Sequence, residues 1–506
     1  MESIYIPSSV IAIGDEAFRD CTGVLTINCN IPNSSYYQSD NRDSYPIFWK
    51  SKLSKVIVGE DVTYIGNTAF SYCSELNGIY IKAATPPTLG STTFIENGAD
   101  FRIYVPYESL ELYTSADGWE SHSDIIVGYD FENDVVVGLP TQNPITFDWY
   151  INATNGVYEI DTPEELVALS RLTNGDTTAL DAVGASDALS FSGEVINLMA
   201  DIDLGSYCGK IAGNWTPIEG FMGTFDGKNH TISNLYSHTS GSTGLFSMLS
   251  GATIRNITVE GEIICSSAND VGAIASAATN TIFENCKSNV DITTSTSSSF
   301  TCVGGICGRD LGDYNSYCTF IACQSTSNIS DTIDEWEWQN HIAGIVGFTT
   351  YSKIVACTHT DGYIHEENKQ SYTSVGGICG YADSTNDFRI VACYTNTETD
   401  GRMPGHILGA CSYRGSYAPT NKINSCYYAG QSLVSQGNKG VGTDNYGGSS
   451  YSFDSGTARS TDIAAEIINM NTAIELWNND NPERVCNYRY SLDSNNKPIL
   501  VNTDSK

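Results

Sequence analysis

The chain lacks any run of about 18 consecutive apolar residues, so it offers no segment able to cross a bilayer as a helix. It is short of positive charge: 25 Lys and Arg stand against 59 Asp and Glu, a formal net charge of -34. Such a surface repels polyphosphates and anionic lipid, which excludes nucleic acid as a partner and membrane insertion as a mode of attachment. Among its 16 Cys there is no Cys-x-x-Cys pair, so the usual zinc framework is missing. No Asp-x-Asp-x-Asp-Gly loop is present for calcium. No metal site and no cofactor is therefore expected. Proline is scarce at 14 residues, while Gly reaches 46 and Tyr 30, a balance that suits narrow strands joined by polar turns.

What the chain does contain is a phrase that returns five times. It reads Val271-Gly-Ala-Ile-Ala, Val303-Gly-Gly-Ile-Cys-Gly, Ile342-Ala-Gly-Ile-Val-Gly, Val375-Gly-Gly-Ile-Cys-Gly and Ile407-Leu-Gly-Ala-Cys. A second phrase follows in step: Phe283-Glu-Asn-Cys286, Phe320-Ile-Ala-Cys323, Ile354-Val-Ala-Cys357, Ile390-Val-Ala-Cys393 and Ile423-Asn-Ser-Cys426. Two markers in register at one period mean stacked coils of a solenoid. Each phrase is too short for a helix and rich in β-branched and small apolar types, as a strand is. Several short parallel strands per coil predict a parallel β-helix, with Gly305, Gly344 and Gly377 leaving room at a tight corner. Cys286, Cys323, Cys357, Cys393 and Cys426 should form one column, and Cys307, Cys379 and Cys411 another. Their side chains run parallel rather than converging, which favours buried thiols acting as small hydrophobes over disulfides.

The first 128 residues carry a different repeat. Ile13-Gly-Asp-Glu-Ala-Phe18-Arg-Asp-Cys21 recurs as Ile65-Gly-Asn-Thr-Ala-Phe70-Ser-Tyr-Cys73, echoed by Leu89-Gly-Ser-Thr-Thr-Phe94, with Phe48 between. A strand-like run follows each Phe: Leu25–Ile27, Val56–Val58, Ile79–Ile81 and Ile103–Val105. One strand per repeat at this short period belongs to the leucine-rich-repeat class. With Ile6-Pro-Ser-Ser-Val10, Thr85-Pro-Pro-Thr-Leu and Tyr104-Val-Pro, this region resembles the BspA-like leucine-rich repeats of surface proteins from Gram-negative gut anaerobes.

Residues 129–145 lose the repeat and are expected to be a linker. Residues 146–458 then form the solenoid. It opens with Tyr158-Glu-Ile160 and a helix at Thr162-Pro-Glu-Glu165, where Thr162 caps, Pro163 suits the first position and Glu165 closes a capping box. That helix is expected to plug the open end. Asn214-Trp-Thr-Pro-Ile218, Phe221-Met-Gly-Thr-Phe-Asp-Gly-Lys-Asn-His-Thr-Ile, Gly244-Leu-Phe-Ser and Ala252-Thr-Ile-Arg-Asn-Ile resemble the GLUG-motif right-handed β-helix of bacterial surface and adhesin-like proteins. The departure is Ser247 where that motif has Gly. Residues 459–506, with a helix from Ile463 to Trp477 and a last strand at Pro498-Ile-Leu-Val, are expected to close the far end. Both resemblances imply a bacterial cell-surface or extracellular setting. Met1-Glu-Ser-Ile enters a repeat at once, without a basic and apolar leader, so the export signal is expected to have been removed.

β-Helices include polysaccharide lyases and hydrolases, which need a base beside acids or carboxylates in pairs. The repeating strands offer mostly Thr, Ser, Asn and Ala, with Lys287 and Arg389 isolated. No enzyme is expected, and no catalytic residue is assigned; a β-helix lyase or hydrolase is the alternative, and a structural stalk the second. His230 falls in a turn before a strand, and Gly304, Gly305 and Gly308 lack the helix and basic residue of a phosphate loop. Asn152, Asn214 and Asn256 head sequons that carry little meaning in a bacterial protein. The outstanding feature is Asp334-Glu-Trp-Glu-Trp338, in the longest interval between coils. Trp336 and Trp338 at alternating positions point the same way in an extended loop, with Glu337 between, giving an aromatic platform for a sugar ring or an apolar side chain. The expected role is non-catalytic adhesion or ligand binding by a monomer, towards a host or bacterial glycan or an extracellular protein.

Overall fold

The structure is a computed structural model. It describes residues 3–34, 45–73, 76, 78–95, 97, 101–123, 125–137, 142–209, 212–266, 270–295, 300–332, 339–366, 373–383, 388–400, 403–412, 423–429, 457–459, 463–495 and 497–503. The chain is mainly β and divides into two compact units: residues 1–141 with 210–213, and 142–209 with 214–506.

In the first unit, one strand per repeat adds to a parallel sheet. Ser3–Ile6, Thr22–Ile27, Lys52–Val58, Gly78–Ile81 and Arg102–Pro106 lie in that order. Leu25, Val56, Ile79 and Ile103 share one register column and are fully buried. The repeated Phe residues form a second column opposite: Phe18, Phe48, Phe70 and Phe94 stack ring on ring, with centroids 5.0, 4.5 and 6.1 Å apart. Turns are locked by an Asn relay, in which Asn33 Oδ1 accepts from the Asn67 amide and Asn67 Oδ1 from the Ser91 amide, both at 2.8 Å. The expected linker begins inside this sheet. Ile126–Asp130 is a sixth parallel strand, and Val135–Val136 folds back on it antiparallel. Tyr129 Oη donates to Asp134 at 2.6 Å, which holds the return turn closed. Between the fifth and sixth strands the helix Leu110–Ser115, unforeseen in the sequence, buries Tyr113, whose hydroxyl donates to the Ala83 carbonyl at 2.7 Å.

The second unit is built from parallel ladders in which every strand pairs with its counterpart one coil later. The first ladder runs Val157–Ile160, Val195–Leu198, Thr224–Asp226, Thr253–Arg255, Ile282–Glu284, Thr319–Ile321, Lys353–Val355, Arg389–Val391 and Ile423–Asn424. Its central column, from Ile196 through Phe225, Ile254, Phe283, Phe320, Ile354, Ile390 and Ile423, faces the core. Phe283 and Phe320 stack at 4.8 Å with planes 2° apart. A second ladder follows the Cys phrase, and two more pass through the glycine phrase: one over Phe246–Ser250 to Leu408–Ser412, the other over Asp270–Gly272 to Met403–Gly405. A methyl group on Gly344 would sit 2.2 Å from the His359 ring and 2.5 Å from the Gly377 carbonyl, so only Gly fits that corner.

The corner between the first two ladders is one left-handed residue per coil: Asn256, Asn285, Ala322, Ala356, Ala392 and Ser425, with φ between 50° and 55°. Asn tolerates this conformation better than Ala does, and Asn285 Nδ2 donates to Asn256 Oδ1 at 3.0 Å. The change to Ala has a packing reason. At the strand residue before the corner, Asp226, Arg255 and Glu284 give way in register to Ile321, Val355 and Val391. Those three and the corner Ala residues are buried under the helix Ile463–Asp480, through Met470, Ala473, Ile474 and Trp477. The tail, expected to close the far end, thus packs on the flank of the coils. An apolar stripe on the outside of the ladder draws it there, each buried Ile or Val contributing about 1.5–3 kcal/mol. Its last strand, Pro498–Asn502, pairs antiparallel with Tyr488–Leu492. At the opening of the unit the helix Pro163–Thr173 has its capping box: Thr162 accepts from the Glu165 amide, and Glu165 Oε2 from the Thr162 amide. Its Leu166, Leu169 and Leu172 join the core of the first coils.

The Cys column lies just past the left-handed corner. Cys286, Cys323, Cys357, Cys393 and Cys426 are fully buried and free, and each Sγ donates to a carbonyl of the previous coil, from Ile254 to Ile390, at 3.2–3.7 Å. Burial pushes the thiols of Cys286, Cys357 and Cys426 well above their ordinary value. In the second column Cys307 and Cys379 are buried and free, whereas the Cys411 side chain lies outside the described residues. Thiol titration of the native protein should therefore detect little beyond the half-buried Cys21, and all 16 Cys after denaturation without reductant. Recovery of fewer than half in the denatured sample would mean that the columns are oxidised.

Candidate functional site

Trp336, Glu337 and Trp338 lie outside the described residues, within 333–338. The structure describes both ends of that interval. On one side is Asp331, on the other Asn340, and Asn340 Nδ2 donates to Asp331 Oδ2 at 3.1 Å. Thr294 Oγ1 donates to the other carboxylate oxygen at 2.9 Å, and register sets Glu366 opposite Asp331 on the next strand. Both acids are fully buried. Burial, with Glu366 adding to it, pushes the Asp331 carboxyl up to about 8, against the pull of Thr294.

In the strand after the one that holds Asn340, Val346–Thr349, the chain contributes to a column that sequence reasoning overlooked. Arg309, Phe348 and Tyr381 are register partners on three successive coils. Each directly follows the glycine that closes the repeated phrase: Gly308, Gly347 and Gly380. That shared offset is the signal that finds them. The Phe348 and Tyr381 rings are parallel within 5°, centroids 5.6 Å apart, and the Arg309 guanidinium lies 5.5 Å from the Phe348 centroid. All three are half-buried. Behind them His341, itself buried, stacks on Tyr381 at 4.5 Å and tilts against Phe348 at 5.5 Å. Burial, with Arg309 adding its repulsion, lowers His341 to about 3, so the imidazole is neutral and serves as packing. Asp270 stands 3.9 Å from Arg309, and burial raises its carboxyl to about 6 although Arg309 opposes the rise. The column stacks its rings on one another and presents their half-exposed edges and a cation at the spacing of successive coils, which suits apolar and polar contact with a ring or an extended chain.

Other polar groups singled out by their chemistry hold turns. His230 Nδ1 lies 3.1 Å from Asp201, which also accepts from the Thr231 amide, fixing the start of the strand Thr231–Thr239. Asp226, nearly inaccessible, gathers Lys228, Arg255 and Asn256 within 3.0–3.1 Å. Burial works against its charge, but these donors keep its pKa low. Among the described residues no group of three His, Cys, Asp or Glu is placed to hold a metal.

A site spread over in-register coils, rather than sunk in one pocket, defines a repeat protein that presents its side chains laterally. Within it, residues 1–103 match the BspA type leucine rich repeat region in six copies. The chain is similar to a putative immunoglobulin A1 protease from Bacteroides ovatus, at 17% identity and TM-score 0.42, over 69% of this chain and 94% of that one. It is also similar to an IgA1 protease at 13% identity and TM-score 0.35, over 49% of this chain and 21% of the other. No curated protein matches the chain by sequence.

Asp331 makes stability depend on pH. Its folded value of about 8 lies above the ordinary 3.8, so its contribution is complete below that lower value and is lost as pH rises through the upper one. The urea midpoint should fall from pH 6 to pH 9, at up to about 1.4 kcal/mol per pH unit from this group, and Asp331→Asn should flatten the slope. An identical slope in the variant would assign the effect elsewhere.

Proposed function

We propose that this chain is a non-catalytic bacterial cell-surface or extracellular protein that binds a host or bacterial glycan, or an extended segment of an extracellular protein. Its second unit reads as a right-handed β-helix of the GLUG type. The parallel ladders and the phrase at each corner support that reading, and parallel crossovers favour the right-handed sense. The first unit, a BspA type leucine rich repeat region, supports the surface setting, and no helix is long and apolar enough to cross a membrane among the described residues. The observation that carries the binding role is the half-exposed column of Arg309, Phe348 and Tyr381, whose middle member lies ten residues past Trp338. A non-catalytic role is supported by the placement of the acids with raised pKa: Asp270 is set beside Arg309, Asp331 between Thr294 and Asn340, and Glu165 in the capping box of its helix.

The test is a glycan and matrix-protein array followed by titration of the best hit. Phe348→Ala with Tyr381→Ala should weaken binding tenfold or more, as should Trp336→Ala with Trp338→Ala, since burying one such side chain against a partner contributes about 1.5–3 kcal/mol. Full affinity in both double variants, or release of reducing ends or unsaturated uronate from polysaccharide by the wild type, would overturn the proposal.

A further inference from the structure

A second site lies at the opening of the second unit, where the helix Pro163–Thr173 meets the segment around Trp215. There Gln142, Val167, Arg171, Asn174, Asp176 and Tyr207 are among the residues that line an open depression, all of them in the second unit. Arg171 and Asp176 carry opposite charges and are close along the chain, the Asp176 amide donating to the Arg171 carbonyl at 3.0 Å. Their side chains nevertheless stay apart. The Arg171 guanidinium makes no hydrogen bond or ion pair among the described residues and acts on the Tyr207 hydroxyl through its field alone. Asp176 commits one carboxylate oxygen to the Ala179 amide at 2.9 Å, as the cap of the helix Thr177–Val183, and leaves the other. An exposed ion pair contributes little, so the protein loses almost nothing by keeping the two open.

The uncharged groups are fixed around them. Asn174 Nδ2 donates to the Ser170 and Pro217 carbonyls, both at 2.8 Å, and Gln142 Nε2 to the Ser206 carbonyl at 2.8 Å. Both side-chain oxygens are without a partner among the described residues and remain as acceptors. Ser170 Oγ donates to the Thr216 carbonyl at 2.7 Å, which ties the helix to Trp215, and the Trp215 indole donates to the Leu245 carbonyl at 3.0 Å. Tyr207 is half-buried, with its hydroxyl held on Glu164 at 2.7 Å. The frame is thus anchored while the polar ends that line the depression are unused.

We propose that this depression binds one hexose unit of a neutral glycan, with Arg171 and Asp176 bridging adjacent hydroxyls, the Asn174 and Gln142 oxygens accepting from others, and Val167 and Tyr207 against the carbon face. The balance of charge selects the ligand. A carboxylate meets Asp176 and an ammonium meets Arg171, and an anionic sugar also approaches against a net charge of -34. A hydroxyl donates and accepts at once, so a row of them on neighbouring carbons answers a cation, a carboxylate and two amide oxygens in turn. An extended peptide has no such row of donors on adjacent atoms. The site uses no residue of the Arg309 column, so either can fail without the other.

The experiment is ligand-observed NMR titration of the whole chain with methyl glucoside, methyl galactoside and methyl mannoside, and with glucuronate and glucosamine as charged counterparts. At least one neutral hexoside should bind several-fold more tightly than either charged sugar, and roughly tenfold more weakly in Arg171→Gln and in Asp176→Asn. Both variants keep the fold, since Arg171 is exposed and unbonded and Asn caps a helix as Asp does; circular dichroism checks this. Absence of neutral-hexoside binding, tighter binding of glucuronate or glucosamine, or unchanged affinity in both variants would each overturn the proposal. So would a loss of hexoside binding confined to Phe348→Ala with Tyr381→Ala, which would assign the sugar to the column.

Discussion

Everything in the second unit depends on one constraint: a short parallel strand satisfies its amide and carbonyl groups only through the coils on either side. The ladder is therefore continuous or it is nothing, and continuity forces each position of a coil to lie over the same position of the last. Side chains that fit one level fit all. Phe283 lies flat on Phe320, and each thiol of the Cys column reaches back to a carbonyl one coil earlier. The first unit obeys the same constraint with a single strand per repeat, and its Phe column and Asn relay are the equivalents.

The same stacking made much of the fold legible in the sequence. A column of like residues in space is a periodic residue along the chain, so the Phe steps of the first unit and the Cys steps of the second can be read before any coordinate is known. Local rules sufficed for the capping box at Thr162 and Glu165. What stayed hidden was set by contacts between distant segments. Ile321, Val355 and Val391 look like ordinary strand residues, and only the coordinates show them forming an outer stripe that takes the tail from the end to the flank. Ile126–Asp130 escaped because its repeat lacks the Phe that marks the others. Arg309, Phe348 and Tyr381 escaped for another reason: three different residue types in one column leave no compositional trace, although their shared offset from the closing glycine was in plain view.

The binding face formed by the Arg309 column follows from the same geometry. Coil spacing fixes the distance between successive side chains, so residues at one register position, such as Phe348 and Tyr381, line up as a row of stacked rings. The acids do the converse work. Asp226 and Asp331 are drawn into a corner and a ladder interior where donors meet them, and Asp270 is set beside Arg309, while much of the remaining negative charge faces solvent.

The flank-bound tail also has a consequence in time. Synthesis proceeds from the N-terminus, so Val355 and its neighbours are made well before Trp477. At roughly 5–20 residues per second, the outer stripe waits on the order of ten seconds for its cover. During that interval the nascent coils present a greasy, strand-edged surface to whatever is nearby. Export machinery that holds the chain extended until synthesis is complete would spare it this exposure, and a cell that folds it coil by coil would have to shield the stripe until the last helix arrives.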